Sequence, residues 1–255
     1  MKVIDLSKWN GDVNFLEASK HAEGVIIRAG YRGYSNGKLV TDPKFKVNMI
    51  GANASGMKVG LYFVTQAITE QEAREEARYT TLLIRNHVPS EKRNLALPIF
   101  IDSEDACGGR GRADHSKLSR AQRTKILNAF CDEIEKAGYK AGIYCGEYWL
   151  KTYLTASKIN YYLWVAKYSK NKPTTKYNAW QYTDKGTIPG IKGKVDISDF
   201  EEIKTGRNVS QIAEEVINGL WGNGEDRKNR LTKAGFNYKE VQTQVNRILK
   251  ERGLV

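Results

Sequence analysis

Over the first 200 residues, short apolar runs alternate with longer stretches whose apolar residues recur at helical spacing. This is the pattern of strands joined by helical crossovers around a parallel sheet or barrel. Val3 to Leu6 reads as a strand, Asn14 to His21 as a short helix, and Gly24 to Ala29 (GVIIRA) as a second strand. Pro43 to Ser55 follows as a helix with proline in its first turn, then Lys58 to Val64 as a third strand. Thr69 precedes EQEAREEARYTTLLIRN, where a capping residue, early acids and helical spacing agree. Leu97 to Asp102 (LPIFID) is a strand, Ser119 caps RAQRTKILNAFCDEIEKAG, Gly138 stops that helix, and Ala141 to Cys145 is the fifth strand.

Beyond this the pattern shortens. KINYYLWVAKY, TKYNAWQYTDKG and KVDISDF are aromatic strands with little room for crossover helices, which predicts closure by antiparallel strands. From about Asn208 only helical spacing remains, with apolar faces made by Ile212, Val216, Ile217 and Leu220, by Leu231, and by Val241, Val245, Ile248 and Leu249. The expected organisation is an α/β domain over residues 1–205 and a small three-helix bundle over 206–255.

Composition narrows the function classes. The 40% hydrophobic and 27% charged fractions are ordinary for a globular chain. No apolar stretch is long enough to span a membrane, and Asp5 and Lys8 stand where a signal peptide needs an apolar core, so neither membrane insertion nor a signal peptide is expected. Cys107, Cys131 and Cys145 are odd in number and widely spaced, which reads as reduced thiols. His21, His87 and His115 fit no ligand spacing, so no metal or cofactor is expected. The net charge of +12 draws an acidic polymer, whether nucleic acid, anionic lipid or bacterial wall. No zinc-finger spacing, RNA-binding aromatic signature or dense basic helix supports nucleic acid.

Acids terminate several of the strand-like runs: Asp5 ends VID, Asp102 and Glu104 end LPIFIDSE, and Asp196 ends KVD. In a strand, residues two apart point the same way about 6.6 Å apart, so Asp102 and Glu104 share a pocket. Two anions so close split their protonation, which leaves the acid and the anion that glycosidic cleavage requires. Capping, pairing with Arg28, or a magnesium or calcium cluster are the alternative uses of such acids. Trp9, Tyr31, Tyr62, Tyr144, Trp164, Trp180 and Tyr182 lie beside these strand ends and serve either as core or as flat faces for sugar rings.

In order, DLSKWNG, LPIFIDSE, GIYCGEYW, YYLWVAKY, AWQY and VDISDF resemble the glycoside hydrolase family 25 lysozymes over about Met1 to Thr205. The resemblance implies a modified TIM-like barrel of five strand–helix units and three closing strands, and hydrolysis of the β-1,4 bond from N-acetylmuramic acid to N-acetylglucosamine. It implies Glu104 as general acid/base, with Asp102, Asp5 and Asp196 as the other active-site acids. Asp102 either attacks the sugar or orients the substrate acetamido group in a retaining, substrate-assisted reaction. Tyr62, Tyr144, Trp164, Gln181 and Arg28 are the implied substrate contacts. The glycine-rich segment ACGGRGRADHSK after Glu104 is expected to be a mobile rim.

The tail, EEVINGLWGNGEDRKNRLTKAGFNYKEVQTQVNRIL, resembles the CW-seven cell-wall-binding repeat, which implies peptidoglycan as partner with Trp221 and Arg227 as contacts. With no signal peptide expected, the wall-binding tail implies an endolysin-type enzyme, made in a host cytoplasm and released to the wall through a pore formed by another protein, with a prophage-borne or unconventionally exported bacterial enzyme as the alternative.

Overall fold

The computed structural model describes residues 1–89, 93, 95–106, 108–201, 209–234 and 236–254. They form two compact units, Met1–Ile203 and Lys204–Val255. The expected boundary at 205/206 and the expected helix start at Asn208 lie outside the described residues, as does Cys107.

In the first unit the chain order is β1 (Lys2–Leu6), α1 (Phe15–Ala18), β2 (Gly24–Arg32), β3 (Leu39–Thr41), α2 (Phe45–Ala54), β4 (Lys58–Val64), α3 (Glu70–His87), β5 (Ile99–Asp102), α4 (Arg120–Lys136), β6 (Ala141–Gly146), α5 (Glu147–Tyr153), β7 (Tyr162–Ala166), β8 (Ala179–Gly186) and β9 (Val195–Phe200). The sheet order is β1-β9-β8-β7-β6-β5-β4-β2-β3, and a β1–β2 pairing closes all but β3 into an eight-strand ring. Five strand–helix units (β1, β2, β4, β5 and β6 with α1 to α5) and three closing strands make up the barrel.

The closing strands differ from expectation. β7 and β8 run parallel to their predecessors, and only β9 is antiparallel, to both β8 and β1. The segments 147–161 and 167–178 are long enough to return the chain to the start of the next strand, whereas 187–194 only turns it around. Three smaller details were not legible. β2 runs three residues further than expected, and β3 pairs with this extension outside the ring. α5 fills the space before β7. Pro43 precedes α2 rather than starting it, because Asp42 turns the chain there by accepting the Lys44 N–H at 2.8 Å.

Two hydrophobic layers result. Inside the barrel, Val3, Ile26, Leu97, Phe100, Tyr144, Trp164, Ala179 and Phe200 pack together. Phe100 meets Trp164 and Phe200 edge-on, with ring centres 5.2 and 6.1 Å apart. There is no space to spare: a Cβ on Gly142 would come within 2.4 Å of the Phe100 ring. Each such ring, fully buried, contributes about 2–3 kcal/mol. Outside the barrel, α3 and α4 lay their apolar faces on the strands; Thr69 caps α3, and a Ser119–Gln122 capping box starts α4. Cys131 and Cys145 are buried free thiols.

The second unit holds α6 (Val209–Ile217), α7 (Gly224–Lys233) and α8 (Tyr238–Glu251) around Ile212, Val216, Leu231, Val241, Val245 and Ile248. Leu220, expected on the apolar face of α6, is 67% exposed. α6 ends at Ile217, and Gly219 at φ +77° reverses the chain and turns Leu220 outward. Among the described residues no helix is long and apolar enough to cross a membrane.

Glu76 on α3 is fully buried, with Arg32 Nε donating to it at 2.8 Å and the Thr65 hydroxyl at 2.7 Å. Burial lifts its pKa from the ordinary 4.5 to about 7, against the opposing pull of Thr65 and Arg32. The folded state therefore holds this proton more tightly than the unfolded chain, so the stability it contributes is complete below about pH 4.5 and lost as pH rises through 7. We expect Glu76→Gln to flatten the stability-against-pH curve across that window by about 3 kcal/mol, read from denaturant unfolding at stepped pH; an unchanged slope would place the titration elsewhere.

Candidate active site

The site sits where the inward-facing residues of the strands change from apolar to polar. Two positions after Val3, Ile26, Gly60, Phe100, Gly142 and Ala179 come Asp5, Arg28, Tyr62, Asp102, Tyr144 and Gln181. Because side chains alternate along a strand, these residues point into the same barrel mouth. Asp196 joins them from the start of β9, directly opposite Asp5 in the antiparallel register. Glu104 stands two residues past Asp102, beyond the end of β5. The predicted acids, Asp5, Asp102, Glu104 and Asp196, thus converge on one rim.

Their environments differ. Asp102 is buried, and its Oδ1 has no hydrogen-bond partner. Its pKa stands well above the usual carboxylate range, first through burial and then through the Glu104 and Asp5 charges, with Arg28 pulling the other way. Asp5, also buried, is raised first by burial and then by Asp196; the Gln181 amide, donating at 2.9 Å, partly offsets this. The hydrogen bond between Asp5 and Asp196 adds to the rise at Asp5 and works against it at Asp196, where burial still lifts the carboxyl above its ordinary value. Glu104 opens to solvent, yet the surrounding walls desolvate it enough to raise its pKa, helped by Asp196 and then Asp105. Such a set exchanges protons as a group, with at least one acid protonated where an isolated carboxyl is ionised.

Gln181 is the hub of the polar layer: its Oε1 accepts the Tyr144 hydroxyl at 2.8 Å and the Tyr168 hydroxyl at 2.9 Å. Tyr62 lies between Asp5, Arg28 and Asp102 and hydrogen-bonds to Ser7. Arg28 Nε donates to Asp42 at 2.6 Å, while its Nη2 is buried without a partner. One donor, Arg28 Nη2, and one acceptor, Asp102 Oδ1, are therefore left in the site without a protein partner.

Trp164 departs from expectation. It is 2% exposed, its indole N–H bonds Ser198 at 2.9 Å, and Tyr144, Phe100 and Phe200 surround its ring. It is part of the barrel floor and presents no face to a sugar. Tyr168 was missed, although it closes the run YYLWVAKY two residues beyond β7 and meets the same rule that selected the other strand-end aromatics; Asp42, which holds Arg28, carried no signal of its own.

The segment after Glu104, expected to be a mobile rim, is anchored. Arg112 bonds Glu72 at 2.6 Å and the Gln66 carbonyl at 3.2 Å, the Ala113 N–H bonds Gln66, and Arg123 donates to the Ala113 and Asp114 carbonyls. The same folding brings together Asp105, Asp114 and His115, three groups able to ligate a metal, which the spacing of the histidines did not foretell. His115 Nδ1 lies 2.9 Å from Asp105 and 2.7 Å from Asp114, so the ring itself can satisfy these carboxylates by hydrogen bonding.

In the second unit, the Arg227 guanidinium is spent within the module, on the Gly222 carbonyl at 3.0 Å, Asn223 at 2.8 Å and Gln242 at 3.5 Å. Trp221 is half-buried against Phe236, with its N–H on Glu215. An open groove of about 540 Å³ runs beside it, lined by Glu215, Leu220, Trp221, Arg230, Lys233 and Ala234.

Comparison with known proteins agrees with this geometry. Residues 210–249 match the CW_7 repeat. The chain is 31% identical over 214 residues to the lysozyme of Streptococcus phage Cp-7, covering 74% of this chain and 55% of that protein. It is 28% identical over 258 residues to the autolytic lysozyme of Clostridium acetobutylicum, covering 100% of this chain and 67% of that one. The catalytic domain of endolysin ply40 from bacteriophage P40 of Listeria monocytogenes superposes with a TM-score of 0.64 at 26% identity, covering 79% of this chain and 93% of that domain. The chain thus spans little more than half of the phage relative's length. Residues 4–191 match the model of glycosyl hydrolases family 25, and with the barrel and its rim of acids in place, the chain belongs to that family.

Proposed function

We propose that the chain is an N-acetylmuramidase, hydrolysing the β-1,4 bond between N-acetylmuramic acid and N-acetylglucosamine in bacterial peptidoglycan. The observation that carries this reading is the pairing of a solvent-open Glu104, its pKa raised by the desolvating walls and by Asp196, with a buried Asp102 whose Oδ1 lacks a protein partner. In the first step Glu104 donates its proton to the glycosidic oxygen as that bond breaks. The carbonyl oxygen of the sugar's own acetamido group attacks C1 from the opposite face. Asp102 Oδ1 accepts the acetamido N–H and stabilises the positive charge that develops there. A water then gives its proton to the Glu104 carboxylate and opens the intermediate at C1, restoring the acetamido group with net retention. This differs from the common scheme in which the second carboxylate attacks the sugar. Asp5, Asp196 and Gln181 hold the charge balance at the rim, and Tyr62, Tyr144 and Arg28 Nη2 are placed to meet sugar hydroxyl and carbonyl groups.

In this reading residues 1–205 cut and 206–255 hold the wall, chiefly through the groove beside Trp221, with Arg227 engaging three of its five N–H groups within the module.

Glu104→Gln should lower lysis of purified walls by about a thousandfold, since a general acid contributes 10²–10⁴-fold, while wall co-sedimentation persists. Mass analysis of the wild-type digest should show new reducing ends on N-acetylmuramic acid; ends on N-acetylglucosamine, or cut peptides, would reject the assignment.

Asp196 raises the Glu104 pKa, so removing its charge lets Glu104 lose its proton at lower pH. Asp196→Asn should therefore move the alkaline limb of kcat/KM downward in pH. A limb that stays put or moves up would separate Asp196 from the acid.

For the tail, Arg230→Ala combined with Lys233→Ala should weaken co-sedimentation with walls by about tenfold, the scale of two lost charged contacts. Affinity indifferent to both charges would reject the groove.

A further inference from the structure

Two large aromatic side chains stand open to solvent on the rim that carries the carboxyls, Trp9 at 78% and Tyr148 at 70% exposure. A single exposed apolar residue on a protein surface is ordinary. These two are distinguished by where they stand and how firmly they are held.

Trp9 lies in the turn Lys8–Asn10 directly after β1, where Ser7 and Asn10 cap each other. The Lys8 N–H donates at 3.1 Å to Asp42 Oδ2, the oxygen that also takes Arg28 Nε. The turn is thereby tied to the side chain whose charge acts on Asp102. Lys8 Nζ sits 4.5 Å from the indole centre and covers one face, leaving the other free. Tyr148 is the second residue of α5, directly after β6. Its ring meets Tyr153 edge-on at 6.0 Å, and Tyr153 packs 4.7 Å from Trp149. The Trp149 indole N–H in turn bonds Ser103, the residue between Asp102 and Glu104, at 3.2 Å.

The ring order puts these supports in relation. Around the closed barrel β1 and β6 are four strands apart in either direction, so the two turns face each other across the mouth, with the carboxyls between them. A rim with one rigid aromatic at each end and acids in the middle fits a ligand longer than the unit being cut. The apolar C–H face of a pyranose packs on such a ring, and a ring already held in place loses little freedom on binding.

We propose that Trp9 and Tyr148 are stacking platforms at opposite ends of an extended cleft, so that the enzyme recognises a polysaccharide strand on both sides of the scissile bond rather than an isolated disaccharide. This rests on the muramidase reading for the identity of the strand.

Peptide-free glycan strands of graded length, prepared from amidase-treated peptidoglycan, are the probe. For the wild type, kcat/KM rises with strand length. Trp9→Ala and Tyr148→Ala each raise KM on long strands about tenfold, the scale of one lost aromatic contact, while kcat changes far less. Trp9→Phe and Tyr148→Phe keep a ring and restore most of the length dependence. Alanine variants with wild-type KM on long strands, or with kcat lowered equally at every length, would overturn the platforms. Calorimetric binding of the same strands in the Glu104→Gln background separates the two readings. Length-dependent affinity that either alanine substitution removes supports the platforms even if no muramic acid reducing end is ever released. Affinity indifferent to both rings rejects them.

Discussion

The site hangs on one seam. Asp5 on β1 and Asp196 on β9 face each other and hydrogen-bond at the antiparallel pairing that helps close the barrel. Two ionised carboxylates so close repel, and this adds to burial in raising the Asp5 pKa. A one-residue slip of β9 would turn Asp196 outward and Ile197 into the mouth, which removes both the hydrogen bond and the apolar packing. Fold and chemistry are therefore fixed by the same register.

From that seam the barrel divides into layers. An apolar floor of Val3, Ile26, Phe100, Trp164 and Phe200 excludes water below, and a polar layer two residues further along the parallel strands stands above it. The floor is the reason burial heads the causes of every raised carboxyl in the site. Arg28 is the cation facing Asp102, yet Asp42 holds it at 2.6 Å and absorbs part of its field. Had Arg28 paired with Asp102 directly, the Asp102 carboxyl would be fully occupied, with no acceptor to offer a ligand. Asp102 Oδ1 is thus left as an acceptor that no protein group takes.

The second unit follows a different logic. It is small for an independent fold, so most of its apolar side chains are committed to one core, and Arg227 is drawn inward to secure the turn between α6 and α7. What remains for recognition is what the turns expel: Leu220 beyond the glycine that ends α6, and the charged edge of Arg230 and Lys233.

The strand and helix alternation, the capped starts of α3 and α4, the strand-end acids and the apolar faces of the tail can all be read along the chain without its fold. All of these are local, set by periodicity and by backbone groups within a few residues. The sequence also set Asp102 beside Glu104, because only Ser103 separates them in the chain. Only the tertiary structure decided that β7 and β8 run parallel while β9 reverses, that Trp164 sinks into the floor while Tyr168 reaches Gln181, and that Gln66, Glu72 and Arg123 pin the segment after Glu104. An aromatic at a strand end reads the same whether it faces solvent or core, and a carboxylate the same whether it is paired or orphaned. The difference lies in neighbours distant in the chain, 34 residues away for Trp164 and Ser198 and 176 for Asp5 and Gln181, and only closing the barrel brings them into contact.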